Sequence, residues 1–348
     1  MWRRQAAPAA LVSHGRTYRS LARPQVNVVV SRRGQSKSVE RDRMITVPEA
    51  FQVDTIAREG EAGRTWLGTL PAVVDALLNQ WHLALDGPIT HGYLALIAPV
   101  RRGTDALILK ISWIDRWTVH EGLALRAWAG RGAVQLIEHA PERGALLLER
   151  ADAEHSLEQA PLSEALSVAG TLLRRLAVAA PVGTRSFAEE LEGVASDLRA
   201  GWTQHGKPFA STLLNWALDA CEAGSKSVPL LVNIDQHYGN ILRAKREPWL
   251  VIDPKVVAGD VEYGVAPLLW SRFAEIEDAR GLASRFAALV EAAELDVQAA
   301  RRWALVRILE YWVWALGQGL TEDPQRCRQL VEWLTGAPAN SAQLATWP

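Results

Sequence analysis

The sequence predicts an α+β fold of two lobes, a small antiparallel sheet followed by a larger, mostly helical part. Residues 82–149 contain short apolar runs separated by Gly-containing turns, the strand-rich pattern of a small sheet. Residues 161–222 are Ala- and Leu-rich with helical spacing, interrupted near Pro181 and Pro208. Two isolated β-type runs, PLLVN and WLVIDP, stand between these helical stretches and further ones towards the C-terminus. With 348 residues, 49% of them hydrophobic, the chain is long enough to bury two substantial cores.

The elements follow in order. Residues 1–43 form a basic, Arg- and Ser-rich arm without a long apolar stretch, so a secretory signal is not expected; the composition suits a transit peptide, a disordered arm or upstream sequence preceding Met44. Residues 44–150 are expected to form the first lobe and residues 151–348 the second. WLGTLPAVVDALLNQW reads as an amphipathic helix, and HLALDGPITHGYLALIAPV as strand, turn, strand, with Gly87, Thr90 and Gly92 in the turn. That turn could offer backbone N–H groups to a phosphate or be an ordinary hairpin, since it lacks a full G-x-G-x-x-G. DALILKISW is a third strand carrying Lys110. TVHEGLALRAWAG carries Glu121 on a helix whose apolar spacing is set by Leu123, Ala127 and Trp128, with Gly130 as its stop. RGALLLERADAEHSL is a strand running into a charged connector. Beyond residue 264, APLLWSRFAEIE, LASRFAALVEAAEL and DVQAARRWALVRILEYWVWALGQG read as helices. In the last of these, Trp303, Arg307, Glu310, Tyr311 and Trp314 share one face, either as core or, with Glu310, as the wall of a pocket for a polar cation.

The chemistry-bearing stretch is LVNIDQHYGNIL followed by VIDP. It sets Asp235, Asn240 and Asp253 at the ends of short apolar strands. Phosphoryl transfer needs a carboxylate to orient the attacking hydroxyl and take its proton, an amide after four intervening residues for one Mg²⁺, and a later carboxylate for the metal ions on the phosphates. A strand Lys paired with a helix Glu upstream, here Lys110 and Glu121, completes the order. The blander reading is that Asp235 and Asn240 cap a turn and Asp253 ends a strand.

The stretches LKISWIDRWTVHEGLALRAWAGRGAVQLIEHAPERGALLLERADAEHSL and LVNIDQHYGNILRAKREPWLVIDPKVVAGDVEYGVAPLL resemble the aminoglycoside/hydroxyurea phosphotransferase family, in its streptomycin 6-phosphotransferase branch, over about residues 44–335. The resemblance implies a protein-kinase-like bilobal fold, ATP with Mg²⁺ and a small hydroxyl-bearing acceptor. Carried over by position, it makes Asp235 the catalytic base, Asn240 and Asp253 the metal ligands, and Lys110 with Glu121 the phosphate-binding pair. Backbone atoms near Glu149 to Ala151 are expected to meet adenine, and Gly87 and Gly92 are the turn glycines whose N–H groups could meet the phosphates. Two positions depart from the family pattern: Asn233 stands where a His usually precedes the catalytic Asp by two, and Gly264 where an Asp is common, although Asp260 and Glu262 remain nearby.

Charge and composition agree with that reading. The net charge of −1 divides into +8 on residues 1–43 and −9 on the rest, so the folded part is acidic, which argues against a nucleic-acid partner and suits a cationic acceptor. No segment has 18 consecutive apolar residues, so no transmembrane helix is expected. Cys221 and Cys327 lie far apart and form no metal or CxxC spacing; reduced thiols and a cytoplasmic location are expected. Streptomycin is the first acceptor implied, with hydroxyurea, an amino sugar or an aminocyclitol as the alternative. A nucleotide-binding pseudokinase is the reading that Asn233 and the incomplete Gly-rich turn leave open, and the sequence gives no oligomeric state.

Overall fold

The structure, a computed structural model, describes residues 45–224 and 228–341. The expected basic arm, residues 1–43, lies outside the described residues.

The first lobe is a six-stranded antiparallel sheet under a long helix. Helix α1 (Glu49–Gln80) is broken at Gly60, whose φ of 63° and ψ of −137° no helix accommodates. The strands are β1 (Ala84–Leu85), β2 (Thr90–His91), β3 (Ala95–Arg102), β4 (Asp105–Ser112), β5 (Leu136–Ala140) and β6 (Ala145–Glu149), in the order β1-β3-β4-β6-β5 with β2 also on β3. The two-residue alternation of a strand divides this sheet's faces. Leu96, Ala98, Val100, Leu107, Leu109, Ile111 and Leu147 pack with Phe51, Leu67, Leu70, Val74 and Leu77 of α1, whereas Leu146 and Leu148 join the larger core. Lys110, between Leu109 and Ile111, therefore points away from α1, towards helix α2 (Glu121–Trp128).

Two local expectations need correction. Residues 84–91 are one interrupted strand along β3, with Ala84 opposite Arg101 and Thr90 opposite Ile97, so Gly87 and Thr90 are not in a reversing turn. Gly87 lies at the interruption, where a Cβ would stand 3.3 Å from the Pro99 ring. The chain reverses at residues 92–94, closed by the Gly92 N–H donating to the Ala95 carbonyl at 2.8 Å. In α2 the buried face is Glu121, Ala124, Leu125 and Trp128, while Leu123 and Ala127 are only half-buried. The reason is tertiary: the Trp128 indole reaches across to donate to the Leu176 carbonyl at 2.7 Å, which fixes the helix's rotation. The stop is as expected, with Ala129 and Gly130 both at positive φ.

The second part begins with β7 (Asp152–Ser156) and helix α3 (Leu162–Leu176), then β8 (Val178–Ala179), α4 (Phe187–Gln204) and α5 (Ser211–Ala223), the breaks falling around Pro181 and Pro208 as read. PLLVN and WLVIDP become β9 (Leu230–Asn233) and β11 (Trp249–Val251). With β10 (Ile241–Arg243) and β12 (Val256–Gly259) they build two three-stranded sheets, β11-β10-β7 and β12-β9-β8. Helices α6 (Ala266–Trp270), α7 (Ala279–Ala292), α8 (Val297–Gly317) and α9 (Glu322–Thr335) complete the chain. APLLWSRFAEIE is not one helix, because Arg272 turns at φ 53° and its guanidinium donates to the Leu157 and Ala160 carbonyls instead. Every residue of α8 from Trp303 to Val313 is buried, so this helix is the axis of the larger core.

Candidate active site

The two sheets of the second part bring the predicted residues together by register. In the β9–β12 pair Asn233 stands opposite Val256, and the pairing runs one step further, the Ile234 N–H donating to the Lys255 carbonyl at 2.8 Å. Asp235 thus leaves the strand beside Lys255, whose Nζ lies 2.7 Å from Asp235 Oδ2. The Asn233 side-chain oxygen accepts the N–H groups of both Asp235 and Lys255, each at 3.2 Å, and ties the two backbones together. From the opposite side, Arg307 of α8 donates Nη2 to the Ile234 carbonyl at 3.0 Å. Arg307 is itself almost fully buried. Its guanidinium faces the Tyr263 ring at 4.9 Å and stands 3.9 Å from the buried Glu190 carboxylate, which also accepts from the Tyr263 hydroxyl and from Arg185.

The β10–β11 hairpin supplies the other pair. Ile241 stands opposite Val251, and beyond that pair the Ile252 N–H donates to the Asn240 carbonyl at 2.9 Å. Asn240 and Asp253 therefore emerge at the same end of one hairpin. Asp253 has φ 50°, a left-handed conformation uncommon outside glycine, though Asp adopts it more readily than most residues. The hairpin's far turn is anchored to the first lobe: Arg246 donates to the Gly130 and Ala133 carbonyls and pairs with Glu149 at 2.8 Å.

The two halves meet at Lys110. Its Nζ lies 2.6 Å from both Glu121 oxygens and 2.5 Å from Asp253 Oδ1, so β4, α2 and the end of β11 converge on one ammonium. Burial would pull the lysine's pKa down, but the carboxylates of Asp253 and Glu121 more than offset this and hold it above its ordinary value. Glu121 is pushed up to about 7, first by burial and then by the charge of Asp253, against the pull of Lys110. The Asp253 side chain remains substantially exposed, which leaves it open to a further cation.

The remaining predicted residues fall elsewhere. Glu149 ends β6 with its side chain held by Arg246 and the Gln135 N–H, and Ala151 follows in the connector to β7. Gly87 and Gly92 lie on or beside the edge of the first sheet, at the positions given above. Asp260 is buried and accepts the Trp303 indole N–H at 2.9 Å, and Glu262 accepts the Asp296 N–H at 3.1 Å, so both brace the start of α8. On the aromatic face of α8, Trp303 is held in this way and Trp270, Tyr311 and Trp314 stack in series, which is core packing; Glu310 is buried among them. Lys255 and Glu190 were not singled out from the sequence. For Lys255 the signal was its place two residues after Asp253; for Glu190, a helix acid beside Arg185, there was none.

Residues 80–319 match the family described as aminoglycoside/hydroxyurea antibiotic resistance kinase. The chain belongs to this family. The kinase is 34% identical to a streptomycin 6-kinase of Streptomyces glaucescens over 80% of this chain and 93% of that protein. It is 37% identical to a hydroxyurea phosphotransferase of Kitasatospora aureofaciens over 84% and 87% of the two chains. Among solved structures, it is similar to the aminoglycoside phosphotransferase APH(4)-Ia in ternary complex with AMP-PNP and hygromycin B, with a TM-score of 0.54, 14% identity and coverage of 76% and 99%. It is also similar to the choline kinase LicA from Streptococcus pneumoniae, with a TM-score of 0.52, 13% identity and coverage of 77% and 99%. These last two likenesses show that the kinase has the protein-kinase-like fold those enzymes share.

Proposed function

We propose that this kinase transfers the γ-phosphoryl group of ATP to a hydroxyl of an aminoglycoside, with streptomycin as the first acceptor to test. The observation that carries the chemistry is the convergence of Glu121 and Asp253 on the Lys110 ammonium, with Asn240 tied by its carbonyl to the residue before Asp253. The acceptor class rests on the 34% identity to a streptomycin 6-kinase across nearly that protein's whole length.

The residues present suit Mg²⁺ on a triphosphate. Among the described residues no group of three or more His, Cys, Asp or Glu could cage a metal, yet Mg²⁺ in such enzymes takes one or two protein oxygens and completes its shell with phosphate and water. Asp253, exposed and held in a strained backbone, and Asn240 beside it are that minimal set. When bound there, Mg²⁺ neutralises charge on the phosphates. Lys110, released in part from Asp253, holds phosphate oxygens while Glu121 keeps it aimed. Asp235 orients the acceptor hydroxyl and takes its proton as the oxygen attacks the γ-phosphorus; the bond to the bridging oxygen breaks and its electron pair leaves with ADP. Positioning and charge neutralisation account for most of the acceleration.

An ATP-dependent mass gain of one phosphoryl group on streptomycin, with Mg²⁺ present, is the expected result. Hydroxyurea is the second reading, favoured by the 37% identity to a hydroxyurea phosphotransferase, and belongs in the same panel. Absence of phosphate on every aminoglycoside and on hydroxyurea would reject both. No helix among the described residues is long and apolar enough to cross a membrane, and an enzyme consuming ATP on an entering antibiotic suits the cytoplasm.

A further inference from the structure

Lys255 has a position that neither the sequence pattern nor the roles above account for. It sits in the core of the site, its side chain only 14% exposed, with its ammonium 2.7 Å from the carboxylate assigned as base. Its backbone is held at both ends of one residue: the N–H is accepted by Asn233 and the carbonyl accepts from Ile234. The Cα is therefore fixed, and a change in where the charge lies would come from the four-carbon stem.

We infer that Lys255 is the residue that receives the γ-phosphate, its ammonium crossing from Asp235 to the phosphoryl group when a nucleoside triphosphate binds. The inference rests on the phosphotransfer reading and adds to it a second lysine with a separate task. Lys110 lies between Glu121 and Asp253, at the metal end of the site, where it meets the phosphates beside the metal. The transferred group lies in line between the leaving oxygen and the acceptor, hence next to the carboxylate that takes the acceptor's proton. A cation already touching that carboxylate is within a stem's swing of the γ-oxygens. While the ammonium stays on Asp235 it occupies one of the two oxygens that the acceptor hydroxyl needs. Moving to the phosphoryl group uncovers that oxygen and places positive charge where negative charge must be met. Lys255 gives up no proton in this step; the acceptor's proton still goes to Asp235 and the bridging electron pair to ADP.

Calorimetric titration of the full chain with Mg²⁺ and either AMP-PNP or ADP tests this without any acceptor. Lys255→Met is expected to weaken AMP-PNP binding at least tenfold and ADP binding less than threefold, since only the former carries a γ-phosphate. Lys255→Arg, which keeps the charge, is expected to restore most of the difference. A loss equal for both nucleotides, or none for either, would overturn the inference, as would an Arg variant no better than Met. Melting temperatures of both variants identify a general folding defect, which would weaken both nucleotides alike and so count against it. Failure of the wild type to phosphorylate any acceptor would reject the substrate reading separately, because the selectivity for the γ-phosphate is measured by binding alone.

Discussion

A Cβ on Gly264 would stand 2.8 Å from the carbonyl oxygen of Asn233 and 2.7 Å from Leu173 Cδ1. The two positions singled out in the sequence beside the Asp235 loop and before α6 thus touch. Asn233 uses its side-chain oxygen to hold Asp235 and Lys255, and its main chain runs against a residue with no side chain. A single His nitrogen at this position could accept one of those two N–H groups, whereas the amide oxygen accepts both. Asn233 therefore braces the loop through one oxygen that accepts two N–H groups, and the close approach of its backbone requires glycine at residue 264.

Gly264→Ala tests that contact. Gly264 is not at positive φ, so backbone strain is not at issue. The added methyl meets a main-chain oxygen that cannot rotate away, and overpacking of this kind costs roughly 1–3 kcal/mol. Stability by denaturant titration should fall by that amount, and turnover should fall with it because the displaced strand leads directly into Asp235. Unchanged stability and turnover would show that the strand shifts freely.

The two carboxylates of the proposed mechanism should separate kinetically. Asp235→Asn removes the proton acceptor and should cut kcat by about 10²–10⁴ with nucleotide affinity nearly intact. Asp253→Asn removes both a metal ligand and a partner of Lys110, so Mg²⁺-dependent nucleotide binding should weaken as well. Equal, small effects in the two variants would reject the assignment.

Glu121 gives a pH signature. Its pKa in the folded state is about 7, above the ordinary 4.5, so the folded protein holds this proton more tightly than the unfolded chain. The contribution is complete below pH 4.5 and is lost as pH rises through 7. Glu121→Gln keeps the neutral form at every pH. As pH rises from 4.5 through 7 the wild type should lose stability relative to the variant, whatever the offset between them at low pH, while the variant's activity falls because Lys110 loses an anchor. Denaturant titrations of both proteins across this range check the trend; a difference in stability that does not change with pH would contradict it.

Much of the site was legible because phosphoryl transfer demands a fixed order of residue types. Lys110, Glu121, Asp235, Asn240 and Asp253 were read from that order, and the structure brings Lys110, Glu121 and Asp253 within hydrogen-bonding distance. The strands β9 and β11 were legible as short apolar runs. Which glycine turns the chain was not, since Gly87 and Gly92 look alike in sequence and only pairing to β3 separates an interrupted strand from a reversal. The rotation of α2 was misread because both apolar faces carry Ala and Leu, and the choice is made by Trp128 reaching a carbonyl 48 residues away. The partners of Asp260 and Glu262 were not legible either, since the N–H groups they accept belong to Trp303 and Asp296, far along the chain. Arg307 was recognised as part of a helix face, but its bond to the Ile234 carbonyl depends on how α8 passes behind the loop.

That bond yields the last prediction. Arg307 and Glu190 are both almost wholly buried, and the arginine links the acid to the backbone preceding Asp235. Arg307→Met takes a cation from two buried carboxylates, Glu190, which keeps Arg185 at 3.2 Å, and Glu310, 4.0 Å from the guanidinium, so it should destabilise the fold by about 3–5 kcal/mol. It also frees the Ile234 carbonyl, so kcat should fall even at temperatures where the variant is folded. Arg307→Met combined with Glu190→Gln removes one of the two carboxylates left facing the lost guanidinium, and part of the stability should return, Glu310 remaining. Turnover should not return with it, because the Ile234 carbonyl still lacks its donor. Recovery of full turnover in the double variant would show that the arginine serves only the charge of Glu190 and has no part in holding the catalytic loop.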